Sequence, residues 1–373
     1  MNPQTYHDIV SGDRKGLGPM LIRMALGLVS RFYSFGVGLR NMLYDIGLLP
    51  SKTVDCPVVS IGNITSGGTG KTPCAIYVVG KMRELGFKPA IVTRGYGHSD
   101  GVAAPGNVHG ADSGASDEVM LMARALPETP IVVDKDRVRG ARAAIERHDA
   151  DVIVLDDGFQ HRRLKRDIDI VLVDALNPFG YDAILPRGLL REDPANLKRA
   201  SLIVLSHTDQ VGYIEITGIK SRMKSILGGV NPVLSIHQPI SLEGVSTSDS
   251  FDLEMVNGQK TLAYCALGNP ESFRETLERL NALVLSFRPY PDHHRFTKED
   301  IEKVQSAAER LHCTFIVVTE KDAVKLRRME GVAPNTVAVA VEFQLSEGED
   351  QLMELLGTLR PGEPSSQESD HGE

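Results

Sequence analysis

Between residues 56 and 209 the chain alternates short runs of β-branched and aliphatic residues with stretches of helical periodicity. The runs CPVVSIGN, KPAIVTRGYG, PIVVD, DVIVLDD, DIDIVLVDA and ASLIVLSHTD read as strands, and residues 72–85, 117–126 and 137–147 as helices. The strand runs are continuously apolar, without a polar alternate, which is the pattern of strands covered on both faces. The spacing therefore predicts an α/β fold, a parallel sheet with helices on either side.

From about residue 231 the texture changes. The Ser-rich stretch 241–250, SLEGVSTSDS, reads as a loop, and a second set of elements follows: the strand TLAYCALGN, helices over 270–281 and 298–311, and the strand TFIVVT. This is a smaller C-terminal α/β domain. The expected division is a helical, membrane-associating segment over 1–50, a nucleotide-binding domain over 51–230 and the smaller domain over 231–360. The tail 361–373, PGEPSSQESDHGE, is expected to be disordered.

Residues 19–50 are rich in Leu, Met, Phe and Tyr, with Arg23, Arg31, Arg40 and Asp45 as their charges. At 100° per residue Arg23 and Arg31 fall about 80° apart and Arg40 about 100° to the other side, an imperfect amphipathic pattern. Gly36 and Gly38 predict a break between two helices. No run reads as a transmembrane span of roughly 18 to 20 apolar residues. Two readings remain at this point: a helix packed on the domain core, or a helix lying in a membrane interface with arginines near anionic headgroups. The polar, mixed-charge residues before Gly18 do not read as a secretion signal.

Charge adds to this picture. The 373 residues carry 41 Lys and Arg against 49 Asp and Glu, a net −8, which argues against bulk binding of nucleic acid. Residues 1–52 are the local exception, with six basic and three acidic side chains. The four cysteines are scattered without metal-ligand spacing, as expected of a reducing compartment.

The strongest chemical signal is Thr65-Ser66-Gly67-Gly68-Thr69-Gly70-Lys71-Thr72, directly after a buried strand and opening a helix. Glycines let successive backbone N–H groups converge on phosphate oxygens, the helix N-terminus adds positive potential, Lys71 reaches the outer phosphates, and the Thr72 hydroxyl can ligate Mg²⁺. Thr65 stands where the usual template has glycine, so the loop is a variant Walker A. Asp156 and Asp157 close the strand DVIVLDD, the position from which Walker B acids bind Mg²⁺. Directly beyond them, His161, Arg162, Arg163, Lys165 and Arg166 suit an anionic substrate, although a basic surface loop is the ordinary reading of any one arginine.

These motifs together resemble the tetraacyldisaccharide 4'-kinase family, the lipid A 4'-kinases. The resemblance rests on residues 60–73 with the phosphate loop, Thr93-Arg94-Gly95-Tyr96-Gly97, Ser116-Asp117-Glu118, Asp156-Asp157-Gly158-Phe159-Gln160-His161 and residues 166–171. It continues through residues 185–192, Asp292-His293-His294-Arg295-Phe296 and residues 319–325, in the family's order. Arg187 departs from the pattern, standing where a small residue is expected. The resemblance implies a P-loop NTPase-like domain with a smaller α/β domain and an N-terminal helix at the bilayer. It implies transfer of the ATP γ-phosphate to the 4'-hydroxyl of a tetraacyldisaccharide 1-phosphate, forming lipid IVA. The place implied is the cytoplasmic face of the inner membrane, and a monomer is favoured.

Site roles follow from the resemblance. Lys71 and the loop amides would hold phosphates, and Thr72 and Asp156 would hold Mg²⁺ with Asp157 adjacent. The family's Asp–His base maps to Asp117 and His293, with His294 as the neighbouring alternative. Arg94 and Tyr96 would close over the phosphates or the sugar. Glu118, Arg137, His161 and Arg191 are assigned to the substrate side, the two arginines toward its 1-phosphate. Taken alone, Asp117 and Glu118 also read as acids stabilising a helix N-terminus. The rival class is a P-loop GTPase or ATPase regulator without small-molecule kinase activity. Its guanine-reading box is missing, since Ser206-His207-Thr208-Asp209 lacks the needed Asn and Lys.

Overall fold

A computed structural model describes residues 3–94, 101–103, 116–247, 249–292 and 294–361. The chain divides into two compact units, Met1–Ile236 with Leu345–Glu373, and His237–Gln344.

The first unit opens with α1 (Pro3–Ser11) and α2 (Leu17–Asp45), followed by β1 (Val58–Asn63), α3 (Lys71–Glu84), β2 (Pro89–Thr93) and β3 (Gly101–Ala103). Next come α4 (Asp117–Ala125), β4 (Ile131–Val133), α5 (Arg137–His148), β5 (Val152–Asp156), β6 (Ile168–Asp174), β7 (Leu202–Ser206), α6 (Tyr213–Leu227) and β8 (Val233–Gly244). The strands lie in the order β8-β7-β6-β1-β5-β2-β4-β3. All these pairings are parallel except that of β3 with β4. Each residue of β1, β2 and β5 is buried. On one face Val92, Ile153 and Leu155 pack with Val138, Ala141 and Ala144 of α5. The alternate residues Val59, Ile61, Ile91 and Val154 are equally buried, and α3 packs on β1, β2 and β5. The parallel sheet expected from the unbroken apolar runs is present.

The second unit takes the rest of β8 and then β9 (Ser250–Phe251), β10 (Lys260–Cys265), α7 (Pro270–Arg279), β11 (Leu283–Pro289), α8 (Lys298–Arg310), β12 (Phe315–Thr319), α9 (Glu320–Leu326) and most of β13 (Thr336–Glu347). Its strand order is β11-β10-β12-β13. A final helix, α10 (Glu349–Gly357), belongs to the first unit.

Three expectations are corrected. The Ser-rich stretch is not a loop from its start: β8 continues to Gly244 and pairs antiparallel with β9 through Leu242 and Phe251. The glycines at 36 and 38 do not break the chain, because α2 runs unbroken from Leu17 to Asp45. That helix is also long and apolar enough, by length and composition, to cross a membrane.

The polar stripe of α2 faces the protein, with Arg31 and Arg40 on its flanks. Ser30 and Asn41 are its buried residues. They are three turns apart on one face, and Arg23 falls on the same stripe. Arg23 donates to the carbonyls of Ile9 and Arg14, and Ser30 Oγ donates to Ile184 O at 2.7 Å. The opposite stripe, Leu21, Met24, Leu28, Phe32, Phe35, Leu39 and Met42, is exposed, Phe32 and Phe35 each at 72%.

Candidate active site

The glycine-rich turn sits between β1 and α3 at the carboxyl end of the sheet, where β5 and β6 flank β1. Gly70 takes the left-handed cap position of α3 with φ 82, and Gly67 has φ 126. A Cβ at Gly67 or Gly68 would meet nothing within 4 Å among the described residues. The sides of the loop are tied down. Asn63 Nδ2 donates to Thr69 Oγ1 at 2.8 Å, Ser206 Oγ to Thr69 O at 3.0 Å, and Ser66 N to Leu189 O at 2.7 Å. Thr65 bridges Leu190. This leaves the amides of 67–70 at a helix N-terminus, the geometry that receives an anion.

Lys71 opens α3, and burial pushes its ammonium below its ordinary pKa although Asp157 and Asp156 oppose the shift. Its Nζ lies 3.8 Å from Asp157 Oδ1, and Arg191 Nη1 reaches the same oxygen at 2.8 Å. Burial opposes charge on Asp157 too, yet Lys71 and Arg191 hold its carboxyl below the usual range. The adjacent carboxylate behaves differently. Asp156, the last residue of β5, is buried and pushed up to about 6 by burial, with the charges of Asp157 and Glu118 adding to the effect. Thr93 Oγ1 donates to its Oδ2 at 3.0 Å, and its Oδ1 is buried with no hydrogen-bond partner among the described residues. A buried, orphaned carboxylate oxygen beside a phosphate loop is the donor a hard cation requires.

Thr72 is the second residue of α3. Asp117 and Glu118 form the first turn of α4, capped by Ser116. The charge of Glu118 acts on both Lys71 and Asp156, so it belongs to this neighbourhood. Arg137 opens α5, is buried, and donates to Asp134 O at 3.2 Å. His161 is half-buried, and burial together with Arg137 lowers it to about 4, so its imidazole is neutral at pH 7. Arg94 is exposed just beyond β2. Tyr96 and His293 lie outside the described residues. His294 stacks on Tyr290 at 4.8 Å and pairs with Asp300 at 3.0 Å within the second unit.

The cationic run after Gln160 is largely engaged inside the protein. Arg162 pairs with Asp45 at 2.6 Å, Arg163 with Asp136 at 3.2 Å and Arg166 with Asp169 at 2.9 Å. Residues without an assigned role in the sequence complete the site. Gln160 accepts from Arg191 at 3.2 Å and donates to Asn63 O and to Glu192, each at 2.8 Å. Both Gln160 and Glu192 stood inside recognised motifs, which was the available signal. Their partners come from distant segments.

Comparison with known proteins gives one consistent result. A family model described as tetraacyldisaccharide-1-P 4'-kinase matches residues 22–359. The tetraacyldisaccharide 4'-kinase of Syntrophus aciditrophicus is 39% identical over 349 residues, 90% of this chain and 92% of that one. The enzyme of the same name from Halothermothrix orenii is 33% identical, covering 86% of this chain and 87% of its own. A crystal structure of LpxK from Aquifex aeolicus in complex with ATP aligns with TM-score 0.71 and 30% identity, over 90% of this chain and 99% of that chain.

Proposed function

The chain belongs to the tetraacyldisaccharide 4'-kinase family, and from that premise we propose how its own residues perform an ATP-dependent phosphorylation in lipid A biosynthesis. ATP is the donor, and an acylated disaccharide 1-phosphate is the acceptor at its 4'-hydroxyl. Phosphoryl transfer rests on positioning and charge neutralisation more than on covalent help.

The amides of residues 67–70 and Lys71 hold the β- and γ-phosphates. Arg191, expected at the substrate's 1-phosphate, instead reaches the oxygen that Lys71 faces and adds a planar cation to the same pocket. Thr72 and Asp156 are the residues that would hold Mg²⁺, which supplies neutralisation of phosphate charge when bound. The orphaned Oδ1 of Asp156 supports this choice. Asp157, by contrast, orients the two cations. Glu118 shapes the field at Lys71 and Asp156, and Asp117 takes the part of base toward the sugar hydroxyl. Arg94, Tyr96, Arg137 and His161 remain on the substrate side, with His161 serving as a neutral hydrogen-bonding group.

The exposed apolar stripe of α2 seats the protein on a bilayer surface. Hydrogen bonds from Arg23, Ser30 and Asn41 tie the helix to the protein along its length. This supports a helix lying in the interface over one crossing the membrane, with Arg31 on the flank of the apolar face near headgroups. Use of ATP puts that surface on the cytoplasmic side.

The observation that carries the catalytic reading is the Lys71–Asp157–Arg191 cluster beside the glycine loop, with the orphaned oxygen of Asp156 next to it. Transfer of labelled γ-phosphate to the disaccharide acceptor tests it. Lys71→Ala and Asp156→Ala should each lower kcat by at least about 10²-fold with the fold retained. Near-native turnover in both would overturn the assignment. Asp117→Ala should lower kcat far more than it raises the KM for ATP, and the reverse pattern would make Asp117 a helix-capping or binding residue.

A further inference from the structure

The polar stripe of α2 does more than fasten the helix. The segment 184–192 is held from two sides: Ser30 Oγ donates to Ile184 O at 2.7 Å, while Leu189 O and Ile64 O join its far end to the phosphate loop through Ser66 N and Arg191 N, both at 2.7 Å. At the end of the segment lies Glu192, fully buried. Its Oε2 accepts from Asn41 Nδ2 at 3.0 Å and Arg199 Nη2 at 2.7 Å, and its Oε1 from Gln160 Nε2 at 2.8 Å. Gln160 is fixed a second time by α2, because Arg40 Nη2 donates to its backbone carbonyl at 3.0 Å. The side-chain oxygen of Gln160 then accepts from Arg191 Nη1, the nitrogen that reaches Asp157.

We propose that Asn41 is a positioning residue for phosphoryl transfer, acting through Glu192 and Gln160 on Arg191. This deepens the kinase reading and rests on the assignment of Lys71, Asp157 and Arg191 to the phosphates. A helix that only had to dock would do so at least as well with apolar contacts, since burying a carboxylate is costly unless its partners are all in place. Here the buried carboxylate collects three donors, and two of them, Asn41 and Gln160, lie on the path from the membrane-facing helix to the phosphate loop. In a low-dielectric network of this kind the bonds act together. Without the Asn41 donor, Glu192 turns toward Arg199, Gln160 loses its anchor, and Arg191 loses the acceptor that aims it. The helix that meets the lipid thereby sets the geometry of a cation on the phosphates.

The test uses the full chain with micellar acceptor, measuring kcat, both KM values and vesicle sedimentation for Asn41→Ala, Arg191→Ala and the double variant. Asn41→Ala should lower kcat about tenfold, keep both KM values within about twofold, and leave vesicle binding unchanged. The double variant should lose no more than Arg191→Ala alone, as residues acting as one unit do. A kcat for Asn41→Ala within about twofold of the native value, or losses that multiply in the double variant, would overturn the proposal. Should Asn41→Ala not fold, the near-isosteric Asn41→Leu, which removes the same donor, takes its place with the same expected split. Lys71→Ala separates the two levels. Native turnover there sinks the phosphate assignment, whereas an inactive Lys71→Ala beside a native Asn41→Ala sinks only the positioning role.

Discussion

Two adjacent carboxylates at the end of β5 illustrate how far residue identity alone carries. The sequence places Asp156 and Asp157 where a metal-binding acid belongs, but the pair is chemically symmetric until the backbone turns. Asp157 adopts a left-handed conformation, φ 51, and meets Lys71 and Arg191. Asp156 stays in the strand, buried, with Thr93 as its donor. The consequence is measurable. The carboxyl of Asp156 is raised to about 6, so the penalty for its charge is absent at low pH, where the group is protonated folded or unfolded. The penalty is complete above about pH 6, where it is ionised in both states. Asp156→Asn should therefore melt higher than the native protein at pH 8, by about 2–4 °C per kcal/mol of relieved penalty, with the gain vanishing by about pH 4. Thermal melts at the two pH values check this, and a gain that is the same at both would show that burial of the charge is not its source.

At the scale of an element, α2 departs furthest from its sequence reading, and for a physical reason. Periodicity marks a two-sided helix whichever side meets water, but here the arginines alone do not mark one face: Arg23 lies on the Ser30–Asn41 stripe, while Arg31 and Arg40 stand on its two flanks. In α2 the polar side meets protein and the apolar side is exposed, an orientation that the pattern does not record. Gly36 and Gly38 carry an intrinsic helix cost, yet docking of Ser30 and Asn41 on either side holds them in register. A Cβ at either glycine meets nothing within 4 Å. Replacing both by Ala should raise the melting temperature, by about 0.5–1 kcal/mol each in stability, and a lowered melting temperature would indicate that the helix needs their flexibility. Phe32 and Phe35 support nothing in the fold, being mostly exposed. Phe32→Ser with Phe35→Ser should lower partitioning onto anionic vesicles by about tenfold or more while the melt is unchanged. Undiminished vesicle sedimentation would remove the stripe from membrane contact.

Over the whole molecule, the sequence was most legible where one residue type has one use. The parallel sheet, the glycine loop between β1 and α3 and the two acids at the end of β5 were all readable as positions, because continuous apolar runs, glycines before a lysine, and strand-end carboxylates each answer a local demand. The Gln160–Glu192–Asn41 network was not, since it joins positions 41, 160, 191 and 192, and no local pattern records a long-range hydrogen bond. The same applies to the second unit. Residues 319–325 were recognisable as a motif without a function, and the structure gives Asp322 of α9 a structural one. It is fully buried, its Oδ2 accepts from Ala266 N at 2.8 Å and Thr319 Oγ1 at 2.7 Å, and Lys325 Nζ lies 3.3 Å from Oδ1. One carboxylate thus ties the end of β10 to the cap of α9 beneath a core of Leu262, Tyr264, Ile316 and Val318. Asp322→Ala strands Lys325 and two donors in that interior, and should cost about 3–5 kcal/mol, as the removal of one partner from a buried ion pair does. Hydrogen exchange should register the loss first in the amides of β10, β12 and α9. If those amides keep native protection, the buried carboxylate is not what holds the second unit together.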